Sequence, residues 1–233
     1  MGTINKVLNL IFEDLNPRQK EVIVGRFGLG NPTAEPQTLA AIGDKYGITR
    51  ERIRQIEAGS LKLISRKIAA NKECQNLLNK GKKYLETVGG VAKENTLLVN
   101  LAASFEGLTK NQLSLLLEAT GAFNLHDEDP GFASFYYLDK KSLEAAARFV
   151  SQLVKFLKPQ KSAVLAGSYA DLVAKFIASN KFSSAHAKSY LTITKKIHSN
   201  PFGEIGLTEW PEIKPLNIRD RIYLVLKKEG KPL

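Results

Sequence analysis

The chain is poor in the residues that build covalent or metal-bound sites. It contains one cysteine, Cys74, and three histidines among 233 residues. A single cysteine excludes an internal disulfide, and the histidines lack the spacing of shared metal ligands. No run approaches the ~20 apolar residues that a membrane-spanning helix needs, and the first residues lack the apolar core of a signal peptide. We therefore expect a cytoplasmic protein that binds no metal and no cofactor.

Motifs of catalysis are also missing from the sequence. It shows no phosphate-cradling glycine loop, no nucleophile elbow and no zincin motif. We expect no catalytic residues, no small-molecule substrate and no enzymatic activity.

Positive charge is the abundant feature. The chain has 34 Lys and Arg against 23 acidic residues, a formal net charge of +11, and residues 45–83 alone carry eleven basic residues against three acids. Such an excess favours a polyanionic partner whose phosphates would make binding salt-dependent. A solubilising surface is the alternative. Both interpretations stay open for Lys80, Lys82 and Lys83.

Residues 39–57, LAAIGDKYGITRERIRQIE, have the spacing of a helix-turn-helix. Gly43 is the small residue where the two helices would cross, and Gly47 suits the turn between them. Thr38 and Thr49 are the expected N-caps of the two helices. The apolar residues predicted to face into the angle are Ile42, Tyr46, Ile48, Ile53 and Ile56.

Four polar residues remain near the outer side of the second helix, at the end that enters a major groove: Arg50, Glu51, Arg54 and Gln55. An arginine can bond a guanine edge or a phosphate, a glutamine can pair with adenine, and a glutamate can accept from the amino group of cytosine. The alternative is a solvated, charged face. The residue types and the two glycines together favour DNA binding.

The flanking residues add a resemblance to a known family. The segments LNPRQKEVIVGRFGLG and TLAAIGDKYGITRERIRQIEAGSLKLI resemble region 4 of bacterial housekeeping-type RNA polymerase sigma factors, over residues 15–68. This resemblance implies binding to the −35 promoter element and to the flap of the polymerase β subunit. The roles it implies are base reading by Arg50, Glu51 and Gln55, phosphate contacts by Arg18, Arg26, Thr38, Leu39 and Arg54, and a flap contact at Phe27. The basic run adds Lys62 as a further phosphate contact.

The sequence departs from the family in two places. Gly59 and Ser60 stand where sigma factors usually carry a basic and a small residue, and Gly59 costs a helix about 1 kcal/mol relative to alanine. Nothing before Leu15 resembles the sigma segment that melts the −10 element. We therefore do not expect a stand-alone initiating sigma factor.

A domain boundary is expected at residues 87–94, where two glycines interrupt the helical periodicity. The segment 89–160 predicts a helix over 95–105, a helix capped by Thr109, two short strands around DEDPG, and a helix over 140–157. This order is that of a winged-helix-like module. Its acidic turn, 127–129, would repel phosphates, so we expect the hairpin to face protein.

A second winged-helix-like module is expected over residues 161–215. Residues 162–178 predict one helix or a broken pair, residues 182–197 a further helix, and residues 202–213 a short hairpin. The polar side of the helix over 182–197 would carry a candidate second nucleic-acid site formed by Lys188, Lys195 and Lys196.

A basic amphipathic helix is predicted from Asn217, and residues 216–233 are expected to begin a further, truncated helical module. The sequence of this helix resembles the first helix of the winged-helix module in the RNA polymerase delta subunit. The predicted fold class is therefore mainly α. It consists of a helix-turn-helix domain over 1–88, followed by winged-helix-like α+β modules with short hairpins.

The favoured function is a nucleoid-associated transcription factor that recognises double-stranded promoter DNA and contacts RNA polymerase, with no membrane partner. The alternative is an adaptor that grips polymerase through Phe27 and its apolar neighbours without touching DNA. DNA binding in the absence of polymerase distinguishes the two.

Overall fold

The computed structural model describes residues 10–31, 34–104, 108–160 and 164–229. Their contacts form two compact units. The first unit contains the described residues up to Tyr84 together with Glu94–Asn124, and the second contains Leu85–Lys93 and the described residues from Leu125 onward. This division differs from the segments predicted above, because Glu94–Asn124 groups with the helix-turn-helix.

The elements follow one another as short helices and shorter strands, in the fold class that the sequence predicts. In chain order they are α1 (Pro17–Phe27), α2 (Leu39–Tyr46), α3 (Arg50–Ala70), α4 (Lys72–Thr87), β1 (Val91–Lys93), α5 (Glu94–Ser104), α6 (Lys110–Thr120), β2 (Asn124–His126), β3 (Phe135–Tyr137), α7 (Lys140–Leu157), a 3-10 turn (Lys158–Gln160), β4 (Val164–Leu165), α8 (Ala166–Ser179), α9 (Ser184–Ile193), β5 (Ile197–Ser199), β6 (Glu204–Leu207) and α10 (Ile218–Glu229).

The start and end of α1 are set by local chemistry. The Asn16 side chain accepts from the backbone N–H of Gln19, and the Gln19 side chain accepts from the backbone N–H of Asn16, both at 2.9 Å. Pro17 occupies the first helical position, where its missing N–H leaves no bond unmade. Gly28 ends the helix with φ 62°, a left-handed conformation that glycine adopts without strain.

Helix α6 explains why the expected boundary near residue 88 does not separate the first unit. Its leucines Leu113, Leu115, Leu116 and Leu117 are all buried, so it is apolar on more than one face and needs cover on more than one side. It packs against α3, α1 and α5. A prediction based on the single stripe of Leu113, Leu116 and Leu117 misses this, because it leaves Leu115 facing solvent.

Two small antiparallel sheets are formed by strands that follow α4 along the chain. Their strand orders are β1-β3-β2 and β4-β6-β5. In the first, Val91 pairs with Tyr137; in the second, Val164 pairs with Ile205 and Ile197 with Leu207. The middle strand of each sheet is thus the last of its three along the chain.

The order of elements repeats along the chain. Helix, strand, two helices and a hairpin occur as α4-β1-α5-α6-β2-β3 and again as α7-β4-α8-α9-β5-β6. The strands of both sheets also follow the same order. This is the order of winged-helix modules, although each set begins with a helix, α4 or α7, that the predicted boundaries place in the preceding segment. The sequence shows no repeat of fixed period. Helix α10 follows the second set, and it begins after Asn217 as expected.

The core of the second unit is aromatic and centred on α7. The Phe149 ring lies 5.5 Å from Phe176, 5.0 Å from Phe182 and 5.4 Å from Tyr190, measured between centroids. Phe149 is fully buried, and Val150, Leu153 and Leu157 continue the same face. Such ring pairs add about 0.5–1.5 kcal/mol each beyond the burial of their area.

Three secondary-structure predictions for residues 162–213 need correction. Helix α9 ends at Ile193 rather than near 197, because Thr194 is extended and forms a bridge with Phe132. The hairpin is β5–β6 rather than 202–213. In the segment 162–178 the single-helix alternative is confirmed, but the helix begins at Ala166, after a short strand. Residues 162 and 163 lie outside the described residues.

The turn between β5 and β6 is organised by one buried side chain. Asn200 is 4% exposed, and its Oδ1 accepts from the backbone N–H groups of Phe202 and Glu204, each at 3.0 Å. Its Nδ2 donates to the Glu204 carboxylate at 2.9 Å. The Asn200 side chain therefore holds the hairpin turn in place.

Candidate nucleic-acid interface

The angle between α2 and α3 forms as the sequence predicts. Thr38 Oγ1 accepts from the backbone N–H of Ala41, and Thr49 Oγ1 accepts from that of Arg52, both at 3.1 Å. Gly47 ends α2 with φ 64°. These bonds fix where each helix begins and ends, and so fix the direction in which α3 leaves the turn.

Gly43 is required at the crossing of the two helices. A Cβ atom at this position would lie 2.7 Å from the backbone oxygen of Ile48, closer than real Cβ contacts. The apolar residues inside the angle meet as predicted: Ile42 and Ile53 are buried with Val22, and Tyr46, Ile48 and Ile56 are partly buried against them.

The outer face of α3 is a polar network. Arg50, Glu51, Arg54 and Gln55 are all exposed. Arg54 Nε and NH2 donate to the two oxygens of the Glu51 carboxylate at 2.8 Å each. Gln55 Nε2 donates to the same carboxylate at 3.4 Å, and Arg52 NH1 donates to Gln55 Oε1 at 3.1 Å. In the free protein these groups hold one another in place.

The charge states of this network follow from its geometry. The hydrogen bonds from Arg54 hold the pKa of Glu51 below its ordinary value, and the same contact raises the pKa of Arg54. Glu51 is therefore an ionised acceptor at neutral pH, suited to the amino group of a base. Arg54 lies three residues after Glu51, so an i,i+4 spacing of opposite charges does not predict this pair.

The predicted phosphate contacts fall into several environments. The Arg18 guanidinium lies 3.7 Å from the centre of the Tyr46 ring and 4.0 Å from Glu21. Thr38 serves as the cap of α2, and Leu39 packs partly buried on the apolar cluster of the angle. Lys62 is exposed, seven residues after Gln55 on α3, which places both on one side of the helix.

Arg26 has an internal partner that the sequence gives no sign of. Its Nε donates to Glu57 Oε1 at 2.9 Å, and its NH1 donates to the backbone oxygen of Gln37 at 3.4 Å. Glu57 is only 9% exposed. A carboxylate at this depth needs a paired cation, because removing Arg26 would leave the charge of Glu57 buried and unpaired. Arg26 therefore ties α1 to α3, and its phosphate contact stays a prediction.

Phe27, the predicted polymerase contact, is buried with 6% of its surface exposed. It borders a groove together with Leu98 and Ser114 from α5 and α6. Next to it, Asn111 Nδ2 donates to the backbone oxygens of Gly28 at 2.9 Å and Ala34 at 3.1 Å. The side of the helix-turn-helix unit that carries Phe27 is thus packed against a later part of the same chain.

The candidate second nucleic-acid site is not assembled on one helix. Lys188 is exposed on α9, but Lys195 and Lys196 follow after the helix has ended. The Lys195 ammonium bonds the Glu128 carboxylate, and it donates to the backbone oxygen of Asp129 at 2.9 Å. The acidic turn of the first hairpin therefore neutralises one of the three lysines, and the expectation that this hairpin faces protein stays a prediction.

Two features are absent from residues 10–31, 34–104, 108–160 and 164–229. There, no group of three or more His, Cys, Asp and Glu side chains comes together in a way that could hold a metal ion. Nor does any helix in those ranges have the length and apolar character needed to cross a membrane.

Cys74 is buried, and burial raises the pKa of its thiol to about 11.

Fold and surface together define a helix-turn-helix protein with an exposed polar recognition helix. The similarity to known proteins lies in the helix-turn-helix segment: residues 11–65 match the family described as Sigma-70, region 4. The chain is 42% identical over 60 residues to RNA polymerase sigma factor RpoD of Neisseria gonorrhoeae, and 46% identical over 52 residues to RNA polymerase sigma factor SigA of Clostridium acetobutylicum.

These matches cover a small part of each protein. The first spans 26% of this chain and 9% of the relative, and the second 22% and 13%. The first unit thus contains a sigma-like DNA-binding domain. The resemblance of α10 to the delta subunit stays a prediction.

Proposed function

We propose that this protein is a transcription factor that binds promoter DNA of the −35 type through the N-terminal half of α3. The observation that carries the proposal is the exposed set Arg50, Glu51, Arg54 and Gln55 at the start of a helix held by a complete helix-turn-helix angle. Within this set, we assign sequence recognition to Arg50, Glu51 and Gln55.

Arg50 is the side chain best placed for direct recognition. It is exposed in the first turn of α3, and its guanidinium makes no hydrogen bond to the described residues. Glu51, Arg54 and Gln55 already bond one another. Arg50 can therefore engage a guanine edge without breaking an internal hydrogen bond, and a bidentate pair of this kind discriminates between bases by about 1–3 kcal/mol.

The remaining DNA contacts set affinity and register. We assign phosphate contacts to Arg18, Thr38, Leu39, Arg54 and Lys62, with Arg26 in a supporting role because of its bond to Glu57. Phosphate contacts weaken with salt and carry no sequence information. We also propose that the protein is located in the cytoplasm, in association with the nucleoid.

Contact with RNA polymerase, including its β flap, is the second part of the proposal. It rests on the sigma-like segment and on the relatives, which are named RNA polymerase sigma factors. Because Phe27 is buried, we assign this contact to the first unit as a whole rather than to that side chain.

Selection of bound DNA from a random pool, with and without polymerase core, tests the proposal. We expect the full chain alone to enrich a defined sequence. On that sequence Arg50→Ala should weaken binding about 5- to 150-fold, the equivalent of the discrimination by one bidentate contact. Arg50→Lys is the matched variant: it keeps the charge but loses the planar fork, so it should retain non-specific binding and lose sequence preference.

Arg18→Ala is the contrasting variant and should weaken all sequences alike. If Arg50→Ala and Arg18→Ala gave the same profile across a panel of sequences, the assignment of base recognition to Arg50 would be wrong. Retention by polymerase core without any binding to DNA alone would favour the adaptor function instead.

A further inference from the structure

Helix α7 carries a row of cations that neither the core nor the proposed DNA-binding face uses. Lys141, Arg148 and Lys155 are all exposed and stand seven residues apart. Seven residues make nearly two helical turns, so the three side chains lie within about 40° of one another around the axis. Along the axis the row is about 21 Å long.

These three cations differ from the other basic residues nearby. Lys140 pairs with Glu144 at 3.8 Å, Lys158 pairs with Glu209 at 3.5 Å, and Lys195 pairs with Glu128. By contrast, the ion pairs among the described residues include none of Lys141, Arg148 and Lys155. Two acids lie beside the row. Glu144, between Lys141 and Arg148 along the helix, is the partner of Lys140, and Asp139 is engaged as the N-cap of α7 by bonds from Ser142.

The surface around the row is open and the row itself is firmly held. The exposed residues between the cations include the short side chains Ala147 and Ser151. The opposite face of α7 is anchored in the aromatic core through Phe149, Val150 and Leu153. Repulsion between neighbouring charges about 10 Å apart in water is only about 0.4 kcal/mol before screening, so the free protein tolerates the row.

A straight, anchored line of unpaired cations fits a line of phosphates. One DNA strand carries a phosphate about every 3.4 Å along the duplex axis, so a row about 21 Å long has several phosphates within reach where it crosses the backbone. We propose that Lys141, Arg148 and Lys155 form a second DNA contact that holds the phosphate backbone of duplex DNA without regard to sequence. The choice of DNA over an acidic protein rests on the proposed function, since the same chain carries the DNA-binding helix-turn-helix.

The test is the salt dependence of binding to a duplex of about 40 base pairs that lacks the selected sequence. In the full chain, Lys141→Gln, Arg148→Gln and Lys155→Gln are combined. If each cation meets one phosphate, the slope of log affinity against log salt should fall by about 2.7. The ratio of wild-type to variant affinity should then grow about 40-fold as salt is lowered from 200 to 50 mM.

A matched triple variant removes the same charge elsewhere in the second unit: Lys175→Gln, Lys181→Gln and Lys214→Gln, all at exposed positions. It should lower the slope much less. Helical circular dichroism and the fluorescence of Trp210 check that both variants fold. Equal slopes for the two triples, or an unchanged slope for the α7 triple, would overturn the proposal. Loss of polymerase binding with an unchanged DNA slope would assign the row to protein and overturn it as well.

The outcome is independent of sequence recognition. The α7 triple variant should keep the sequence preference of the wild type, whereas Arg50→Ala should lose that preference and keep the salt slope on the unselected duplex within about one unit. A failure of Arg50→Ala to change the preference would reject the proposed function while leaving the α7 result interpretable.

Discussion

Helices α3 and α9 are each the second helix of a pair, α2–α3 and α8–α9, yet their polar side chains lie in opposite environments. On α3 the polar side chains Arg50 and Gln55 point to solvent. On α9, Ser189 and Tyr190 are buried: Ser189 Oγ donates to the backbone oxygen of Val91, and Tyr190 OH donates to that of Gly89 at 3.0 Å. The difference teaches that position in a helix pair does not by itself give a helix the exposed polar face that DNA binding requires.

The side chains of α3 and α9 decide whether each helix exposes a polar face or packs in the core. Helix α3 places guanidinium, carboxylate and amide groups on its outer face, which are costly to bury and well suited to base edges. Helix α9 places Ala187, Ser189 and Tyr190 on the face that packs against β1. The small side chains of Ala187 and Ser189 allow close approach to a strand, and Tyr190 adds a buried ring, so this helix stabilises the second unit instead.

The largest expected effect on stability comes from a substitution that breaks the packing around α9. Phe149→Ala removes the ring that contacts Phe176, Phe182 and Tyr190. We expect the second unit to lose about 3–5 kcal/mol of its free energy of unfolding. Trp210, the only tryptophan, packs on this core, so its fluorescence during urea unfolding measures the loss. A change below 1 kcal/mol would show that the ring cluster is not the centre of the core.

The next effect acts on the angle that presents α3. Gly43→Ala forces a methyl group to within 2.7 Å of the Ile48 oxygen, so it should destabilise the first unit by about 1–3 kcal/mol and weaken DNA binding. Gly59→Ala is the matched control, because no atom lies within 4 Å of its added Cβ. It should stabilise α3 by up to about 1 kcal/mol. Urea unfolding followed by helical circular dichroism compares the two, and equal effects would contradict the role of Gly43.

A smaller effect compares the first residues of the two helices. Thr49 caps α3 with a hydrogen bond, whereas Ser183 precedes α9 without a side-chain cap bond. Thr49→Ala should therefore lower the free energy of unfolding by about 1 kcal/mol, and Ser183→Ala should have almost no effect. Thermal unfolding of both variants checks this, and the reverse order would show that the two caps are misassigned.

The smallest effect sharpens the role of α9 as a packing helix. Tyr190→Phe removes the bond to the Gly89 oxygen and keeps the ring in the core, so we expect a loss of about 0.5–1 kcal/mol. DNA affinity should stay within about twofold of the wild type, because this face of α9 is assigned to protein. Trp210 fluorescence and a gel-shift assay measure the two quantities, and a loss of DNA affinity without a loss of stability would reopen α9 as a DNA contact.

Short-range chemistry made the helix-turn-helix predictable. Caps at Thr38 and Thr49, the crossing glycine and the turn glycine all act within a few residues, so spacing alone predicts their roles correctly. The bond from Arg26 to Glu57 joins positions 31 residues apart and has no local signal. The exposed groups of α3 are visible in the sequence, while the network that links them needs side-chain geometry.

The errors arose where distant segments override local patterns. Periodicity extends α9 through Lys195 and Lys196, but the backbone N–H of Ala133 bonds the Ile193 oxygen at 2.8 Å and that of Lys195 bonds the Gly131 oxygen at 2.9 Å. These ladder bonds with the first hairpin draw residues 194 and 195 out of the helix. Similarly, the repeated order of elements is a property of topology, which a sequence repeat of fixed period would not reveal.

Asn111 has a consequence for any attempt to transplant the sigma-like segment into another protein. Its amide satisfies two carbonyl oxygens that lie 83 and 77 residues earlier in the chain. A graft that stops at the end of the family match would lack α6. It would leave those oxygens, and the surface of α1 and α3 that packs against α6, open to water. A split design is the remedy: residues 110–120, supplied in cis or as a separate peptide, should complement the excised segment and restore its solubility.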